Sequence, residues 1–276
     1  AGGVFLNCQM NGRILAATRF KEVHVIPAAG DDGQCIGAAF YAYARAFGRL
    51  KRGSDPLPFL GNSYGDAAIR QSLDHFGMTA AQFDAAELAD RVAADLAEGK
   101  VVGLVRGRSE AGPRALCHRS ILADPRAAGM KDRLNRLKGR EAFRPFAPVV
   151  TEEDQRKYFE LEPISPYMLF ATRLRPQFQV ALPAIVHVDG SSRVQSVNQL
   201  KEPFVHALLR SFEHRTGYPI LLNTSFNLGG EPIVESPYDA IVSFLNSGID
   251  VLVIETFYLA KNAPVTLDTA TAIACR

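Results

Sequence analysis

The 276-residue chain predicts a mixed α/β (α+β) fold, and three observations carry that expectation. Short apolar runs rich in Val, Ile and Leu recur along it, amphipathic stretches at helical spacing lie between several of them, and no internal repeat organises them differently. Hydrophobic residues make up 47% of the sequence and charged residues 22%, the balance of a chain that buries a core. No apolar run approaches the roughly 20 residues that span a bilayer.

Taken in order, residues 4–6 and 23–26 read as strands, and a turn over 27–33, rich in Gly and Asp, opens an Ala-rich helix over 35–47. Gly37, Ala38, Ala39 and Ala42 give that helix small residues suited to close packing. Residues 51–65 carry Gly, Pro and Ser without periodicity and read as a linker. Residues 79–99 alternate Ala, Leu and Val with acidic residues at helical spacing and feed a strand over 101–105. Further strands are expected at 121–123, 148–151, 168–171, 193–197, 220–222 and 251–254, with helices at 130–137, 202–215 and 237–247. The organisation expected is a first block over 1–50, a linker over 51–78, a main domain over 79–262 and a tail over 263–276.

Thirty-one Lys and Arg against 29 Asp and Glu leave a net charge of +2, too little for a protein that coats nucleic acid. Cys8, Cys35, Cys117 and Cys275 are scattered, with no CxxC, and read as reduced thiols rather than disulfides or a zinc site. With no basic-then-apolar leader, the expected location is the cytoplasm. The chain opens on Ala in an apolar segment, and we read it as part of a longer protein.

Charge is unevenly spread. Residues 106–144 hold 11 Lys and Arg and four Asp and Glu, so this segment is +7 and the remainder −5. Arg133 and Arg136 sit at helical spacing and read as a solvated face, whereas Arg114, Lys138, Arg140 and Arg144 stand beside Gly and Pro turns that hold guanidinium groups around a pocket. Guanidinium forks match phosphate oxygens two at a time, so a phosphorylated ligand is expected. A second polar cluster, Asn223-Thr224-Ser225-Phe226-Asn227, follows a strand and precedes Gly229-Gly230, a pattern that reads equally as a ligand-binding turn or a hydrogen-bonded loop. A third turn, His187 to Ser192, leads into a strand beginning at Arg193.

The strings GPRALCHRSILADPR (from Gly112), LKGREAFRPFAP (from Leu137), HVDGSSRVQSV (from His187) and LLNTSFNLGGEPIVESPYDAI (from Leu221) resemble the carboxy-terminal domain of NodU/CmcH-type O-carbamoyltransferases. GGVFLN and PAAGDDGQCIGAA resemble the end of that family's actin-like amino-terminal domain. The resemblance implies a YrdC-like twisted mixed sheet with flanking helices, preceded by a remnant of an actin-like domain. It implies that ATP, with Mg²⁺, and carbamoyl phosphate form carbamoyl-adenylate at a Lys-x-Arg plus Ser-x-Asn signature, here Lys138-Gly139-Arg140 and Ser225-Phe226-Asn227. The expected roles are phosphate binding by Lys138 and Arg140, carbamoyl phosphate binding by Arg114 and Arg144, and nucleotide or substrate binding by Arg108, Arg119, Arg193, Asn223, Ser225 and Asn227. The actin-like domain would pass the carbamoyl group to a hydroxyl of a small-molecule acceptor with iron or a similar metal. Its last metal ligand matches Asp31, with Asp32 beside it and Asn7 in the same ligand site. The partners implied are carbamoyl phosphate, the acceptor and the amino-terminal part of the same enzyme. The family commonly has Gly-Asn where Cys117-His118 stands, and His118 reads as a structural or ligand-facing imidazole rather than a proton shuttle.

Two other readings stay open at this point. One is a nucleotide- or RNA-binding module of the same fold without autonomous catalysis, weakened because only Phe143 and Phe146 interleave with the basic residues. The other is a remnant that associates through an exposed core.

Overall fold

The computed structural model describes residues 2–49 and 58–261. The expected tail, Cys275 and residues 51–57 of the expected linker lie outside the described residues.

The first block differs from the expectation. Residues 4–6 lie in a 3₁₀ turn, Gly3–Leu6, followed by helix α1, Cys8–Ala17, while 23–26 run without strand pairing. Their apolar side chains pack instead of pairing: Val25 and Ala29 are buried with Leu161, Leu169 and Phe170, and Phe5, Leu6 and Val23 close over them. Helix α2, Gln34–Phe47, ends at Gly48 in the left-handed conformation that a glycine C-cap supplies. Its small residues are not used for close packing, for α2 buries no residue, and Phe40, Tyr41 and Phe47 face outward.

Helix α3, Asp66–His75, forms inside the span expected as linker, and its Ile69 and Leu73 join the main core. A two-residue strand β1, Ala81–Gln82, precedes helix α4, Ala85–Ala97, whose start is fixed by Asp84 Oδ1 accepting the Ala86 and Glu87 N–H groups at 2.9 Å. Then come β2, Val102–Val105; β3, Arg119–Ala123; α5, Met130–Leu137; and β4, Ala147–Thr151. A short helix α6, Gln155–Tyr158, leads to β5, Phe170–Arg173, and another, α7, Pro176–Gln179, to β6, Ser191–Val197. The chain continues through α8, Pro203–Thr216; β7, Ile220–Ser225; α9, Pro237–Leu245; and the hairpin of β8, Val251–Ile254, with β9, Phe257–Ala260.

The strands form one mixed sheet in the order β1-β9-β8-β2-β3-β7-β4-β6-β5, with β2/β8 and β4/β6 parallel and the other neighbours antiparallel. Both faces are covered. Val102, Leu104, Leu122, Val149, Leu221, Val251 and Val253 face α4 and α8, while Ile121, Val150, Ile220, Leu222, Leu252 and Ile254 face α3, α5 and α9. That alternation is the two-residue period of the pleat, doubled because helices lie on both sides. The mixed α/β class expected from the sequence is the class observed. The first block docks at the far edge, where Gly12 of α1 crosses β5 so closely that a Cβ there would lie 2.0 Å from the Ala171 carbonyl oxygen.

Candidate functional site

The Lys138-Gly139-Arg140 string is the C-terminal cap of α5. Lys138 is the C-cap residue, Gly139 takes φ +58°, and the N–H groups of Gly139 and Arg140 donate to the carbonyls of Arg136 and Asn135 at 3.1 and 3.0 Å. Glycine is required at the facing position too: a Cβ on Gly229 would meet the Lys138 and Gly139 carbonyl oxygens at 2.8 and 3.1 Å, so the two turns touch backbone to backbone. The cap aims Lys138 into the 225–227 turn. Its Nζ donates to the Ser225 carbonyl at 2.5 Å and lies 2.9 Å from Asn227 Oδ1, 3.0 Å from the Asn227 carbonyl and 3.3 Å from Ser225 Oγ. Ser225 Oγ and Asn227 Oδ1 are themselves 2.6 Å apart. Ser-x-Asn is thus a cradle for the lysine ammonium.

Burial, and then the neighbouring charge of Arg140, lower the Lys138 pKa to about 7. The oxygen shell favours the ammonium form, and among the described residues no carboxylate forms an ion pair with it. Arg140 is held by Asn135 Oδ1 at 2.7 Å and lies over the Phe146 ring at 4.2 Å, and Asn135 in turn donates to the Ala142 and Arg144 carbonyls. Arg144 stands at the exposed rim, paired with Glu141 at 2.6 Å, and its charge lowers the pKa of Arg140 after the larger effect of burial.

Arg193, from the middle of β6, meets this cluster from the opposite side. Burial, and then the neighbouring charges of Arg114 and Arg140, lower its pKa to about 10, against an opposing effect of Cys8 at the start of α1. Arg114 is lowered by burial and offset only by Cys8. The Nε atoms of both arginines are buried without a hydrogen-bond partner. An Nε–H withheld from water and from any acceptor is costly, and an anion reaching the two groups would lessen that cost. Cys8 was not among the residues singled out from sequence. Nothing in its local pattern marks it, because its role depends on α1 docking against β5.

Three expected residues lie apart from this cluster. Arg119 is fully buried, and its guanidinium donates to the carbonyls of Glu235, Arg106, Gly107, His118 and Asn62 at 3.0–3.3 Å. It rivets loops together rather than facing a ligand. Arg108 is exposed and donates to the Gly61 and Leu60 carbonyls. Asn223 is buried, and its amide donates to the Ala115 carbonyl and to Gln195 Oε1. The solvated face expected for Arg133 is also modified, since its guanidinium donates to Asp250 and the Gly99 carbonyl at 2.7 Å. His118 bridges the Arg108 carbonyl and Glu202 and stacks on Phe59 at 3.5 Å, a structural imidazole.

The expected iron site is not built from these residues. Asp31 Oδ1 accepts the Gly3 N–H and a Gln34 amide proton, Asp32 is exposed beside it, and Asn7 caps α1 by accepting the Met10 N–H. No group of three His, Cys, Asp or Glu able to hold a metal occurs among the described residues. Two adjacent carboxylates do not make an iron site.

Among the described residues, no helix is long and apolar enough to cross a membrane. Family models match twice: "Carbamoyltransferase C-terminus" over residues 93–261 and "Carbamoyltransferase N-terminus" over residues 1–40. The nodulation protein NolNO of Sinorhizobium fredii is 42% identical over 95% of this chain and 39% of its own length. A 3'-hydroxymethylcephem-O-carbamoyltransferase of Amycolatopsis lactamdurans is 37% identical over 94% of this chain and 48% of its own length. The chain therefore spans about half the length of the curated relatives it matches. A crystal structure of full-length HypF in its phosphate- and nucleotide-bound form superposes over 61% of this chain and 25% of that chain, with 16% identity and a TM-score of 0.45. The match to the C-terminal model over more than half of the residues places this chain in the carbamoyltransferase family.

Proposed function

We propose that the cluster of Arg114, Lys138, Arg140 and Arg193 forms carbamoyl-adenylate from ATP and carbamoyl phosphate, for O-carbamoylation of a small-molecule hydroxyl by the whole protein. The observation that carries this reading is the pair of buried guanidinium Nε atoms without partners, beside a buried ammonium without a counter-ion. Two highly anionic substrates are brought together only where several fixed cations offset their repulsion. Carbamoyl phosphate and water give carbamate and inorganic phosphate. A carbamate oxygen then attacks the α-phosphorus of MgATP, and pyrophosphate leaves. Transfer to the acceptor hydroxyl forms the O-carbamoyl product and releases AMP and a proton.

Arg140, fixed by a helix cap, would hold the phosphates with the charge of Lys138 behind it; Arg114 and Arg193 would hold the second anion, and Arg144 would guide substrate at the rim. Carbamate decomposes in water, and the near-complete burial of Lys138 suits an intermediate that must be shielded. Adenylate formation at this cluster asks for charge and position and needs no histidine. An RNA-binding reading has less support, because Phe146 is buried beneath Arg140 and Phe143 is the one exposed ring in the basic segment.

Calorimetric titration of the purified chain tests the proposal. MgATP and carbamoyl phosphate should both bind, and Lys138→Ala and Arg114→Ala should each weaken binding about 10- to 100-fold, the loss of one charge-assisted contact of ~1.5–3 kcal/mol. A folded chain that binds neither ligand overturns the reading.

A further inference from the structure

The loop over residues 110–119 carries Arg114, and its backbone is held from two sides. On one side Glu110 Oε1 accepts the N–H groups of Leu116, His118 and Arg119 at 2.6, 2.9 and 3.2 Å. On the other, two buried carboxamides reach in from neighbouring strands. Gln195 of β6 donates from Nε2 to the Leu116 carbonyl at 3.1 Å, and Asn223 of β7 donates from Nδ2 to the Ala115 carbonyl at 3.1 Å. The two amides are linked, since Asn223 Nδ2 lies 2.7 Å from Gln195 Oε1. Cys117, in the left-handed region at φ +77°, directs its thiol to the same Gln195 oxygen at 3.8 Å. Gln195, Asn223 and Cys117 are all at most 2% exposed.

Gln195 stands two residues beyond Arg193 on β6, so the pleat turns both side chains to one face. One strand therefore delivers a cation to the anion site and, through Gln195, fixes the loop that delivers the opposing cation. We propose that Gln195 is a positioning residue that sets Arg114 against Arg193 across the anion site, with Asn223 as its relay. The inference rests on the proposed function for the identity of the ligand; the placement of Arg114 does not.

The test uses Gln195→Met, which keeps volume and removes the hydrogen bonds to Leu116, Asn223 and Cys117. The Arg114 Nε–H resonance, assigned by its loss in Arg114→Ala, should shift or broaden in Gln195→Met without any ligand. In titrations with MgATP and carbamoyl phosphate, Gln195→Met should weaken binding about tenfold, the order of effect expected from a small misplacement. Combining Gln195→Met with Arg114→Ala should add little to the loss from Arg114→Ala, whereas combining it with Lys138→Ala should multiply the two losses. A merely structural role would lower affinity equally in both backgrounds. An Arg114 resonance unchanged in Gln195→Met overturns the proposal whatever binds, as does full multiplication with Arg114→Ala. A resonance that moves in a chain that binds neither substrate leaves the positioning intact and defeats the carbamoyl-adenylate reading instead.

Discussion

Lys138 sets the pH behaviour of the site. Its pKa, lowered to about 7 by burial and by Arg140, means that the native chain binds fewer protons than the unfolded chain between about pH 7 and the ordinary lysine range. This group therefore makes the unliganded protein more stable as pH rises through that window. Anion binding runs the other way, because the ammonium is the form that attracts phosphate. Affinity for MgATP should fall as pH rises above about 7, and binding at pH 7.5 should take up protons, read as a dependence of calorimetric enthalpy on buffer ionisation. Binding without proton uptake would contradict this account of Lys138. The arginines divide by what they touch. Arg119→Leu removes a donor from five carbonyls, of which those of His118 and Asn62 keep a backbone N–H, and should cost several kcal/mol, at ~1–3 kcal/mol for each unsatisfied buried group, lowering the melting temperature by roughly 10 °C. Arg193→Ala removes a repelled charge and should weaken ligand binding without lowering the melting temperature of the unliganded chain. Parallel thermal melts and titrations separate the two. Both residues are arginines in motif-like strings, so the sequence marks a cationic region without saying which guanidinium meets carbonyls and which meets the ligand. That distinction arises only when residues 62, 107 and 235 come together in space.

Elements whose signals are local were legible, and those built by tertiary contact were not. The helix over 130–137 ends where a Lys-Gly-Arg cap is written in the chain, and the strands at 101–105 and 251–254 are apolar runs buried on both faces. β9 was missed because the β8–β9 turn, Glu255-Thr256, has no Gly or Asn, and Glu255 adopts φ +51° without one. Residues 4–6 and 23–26 show the converse failure, since apolar residues that look strand-like satisfy themselves by packing on β5. The face of β6 was partly readable: Arg193 was singled out, and the period of two would have added Gln195. The docking of α1 includes one close backbone contact besides the hydrogen bonds of Asn11 and Gln9. Gly12→Ala should push α1 off β5, because its Cβ would lie 2.0 Å from a backbone oxygen that cannot move aside cheaply. Faster amide exchange in residues 8–17 with little change in β2 and β3 would confirm it, and unaltered exchange in α1 would refute it.

At the scale of the molecule, the charge asymmetry is put to two uses. Of the 11 cations in residues 106–144, Arg108 and Arg119 bind carbonyls and Arg126 and Arg133 pair with Asp124 and Asp250, which ties loops and helices to the sheet. Arg114, Lys138 and Arg140, none of them ion-paired with a described carboxylate, lie where α5, β6 and the 110–119 loop converge, near the start of α1. The first block, which matches the carbamoyltransferase N-terminus model over residues 1–40, brings Cys8 beside Arg114 and Arg193. The account stands or falls on the chemistry at that convergence. The measurement that tests it most directly is pyrophosphate release from ATP by the purified chain with Mg²⁺, with and without carbamoyl phosphate. We predict release that requires carbamoyl phosphate and is lost in Lys138→Ala and Arg114→Ala. Release that is indifferent to carbamoyl phosphate, or unchanged in both variants, would contradict it.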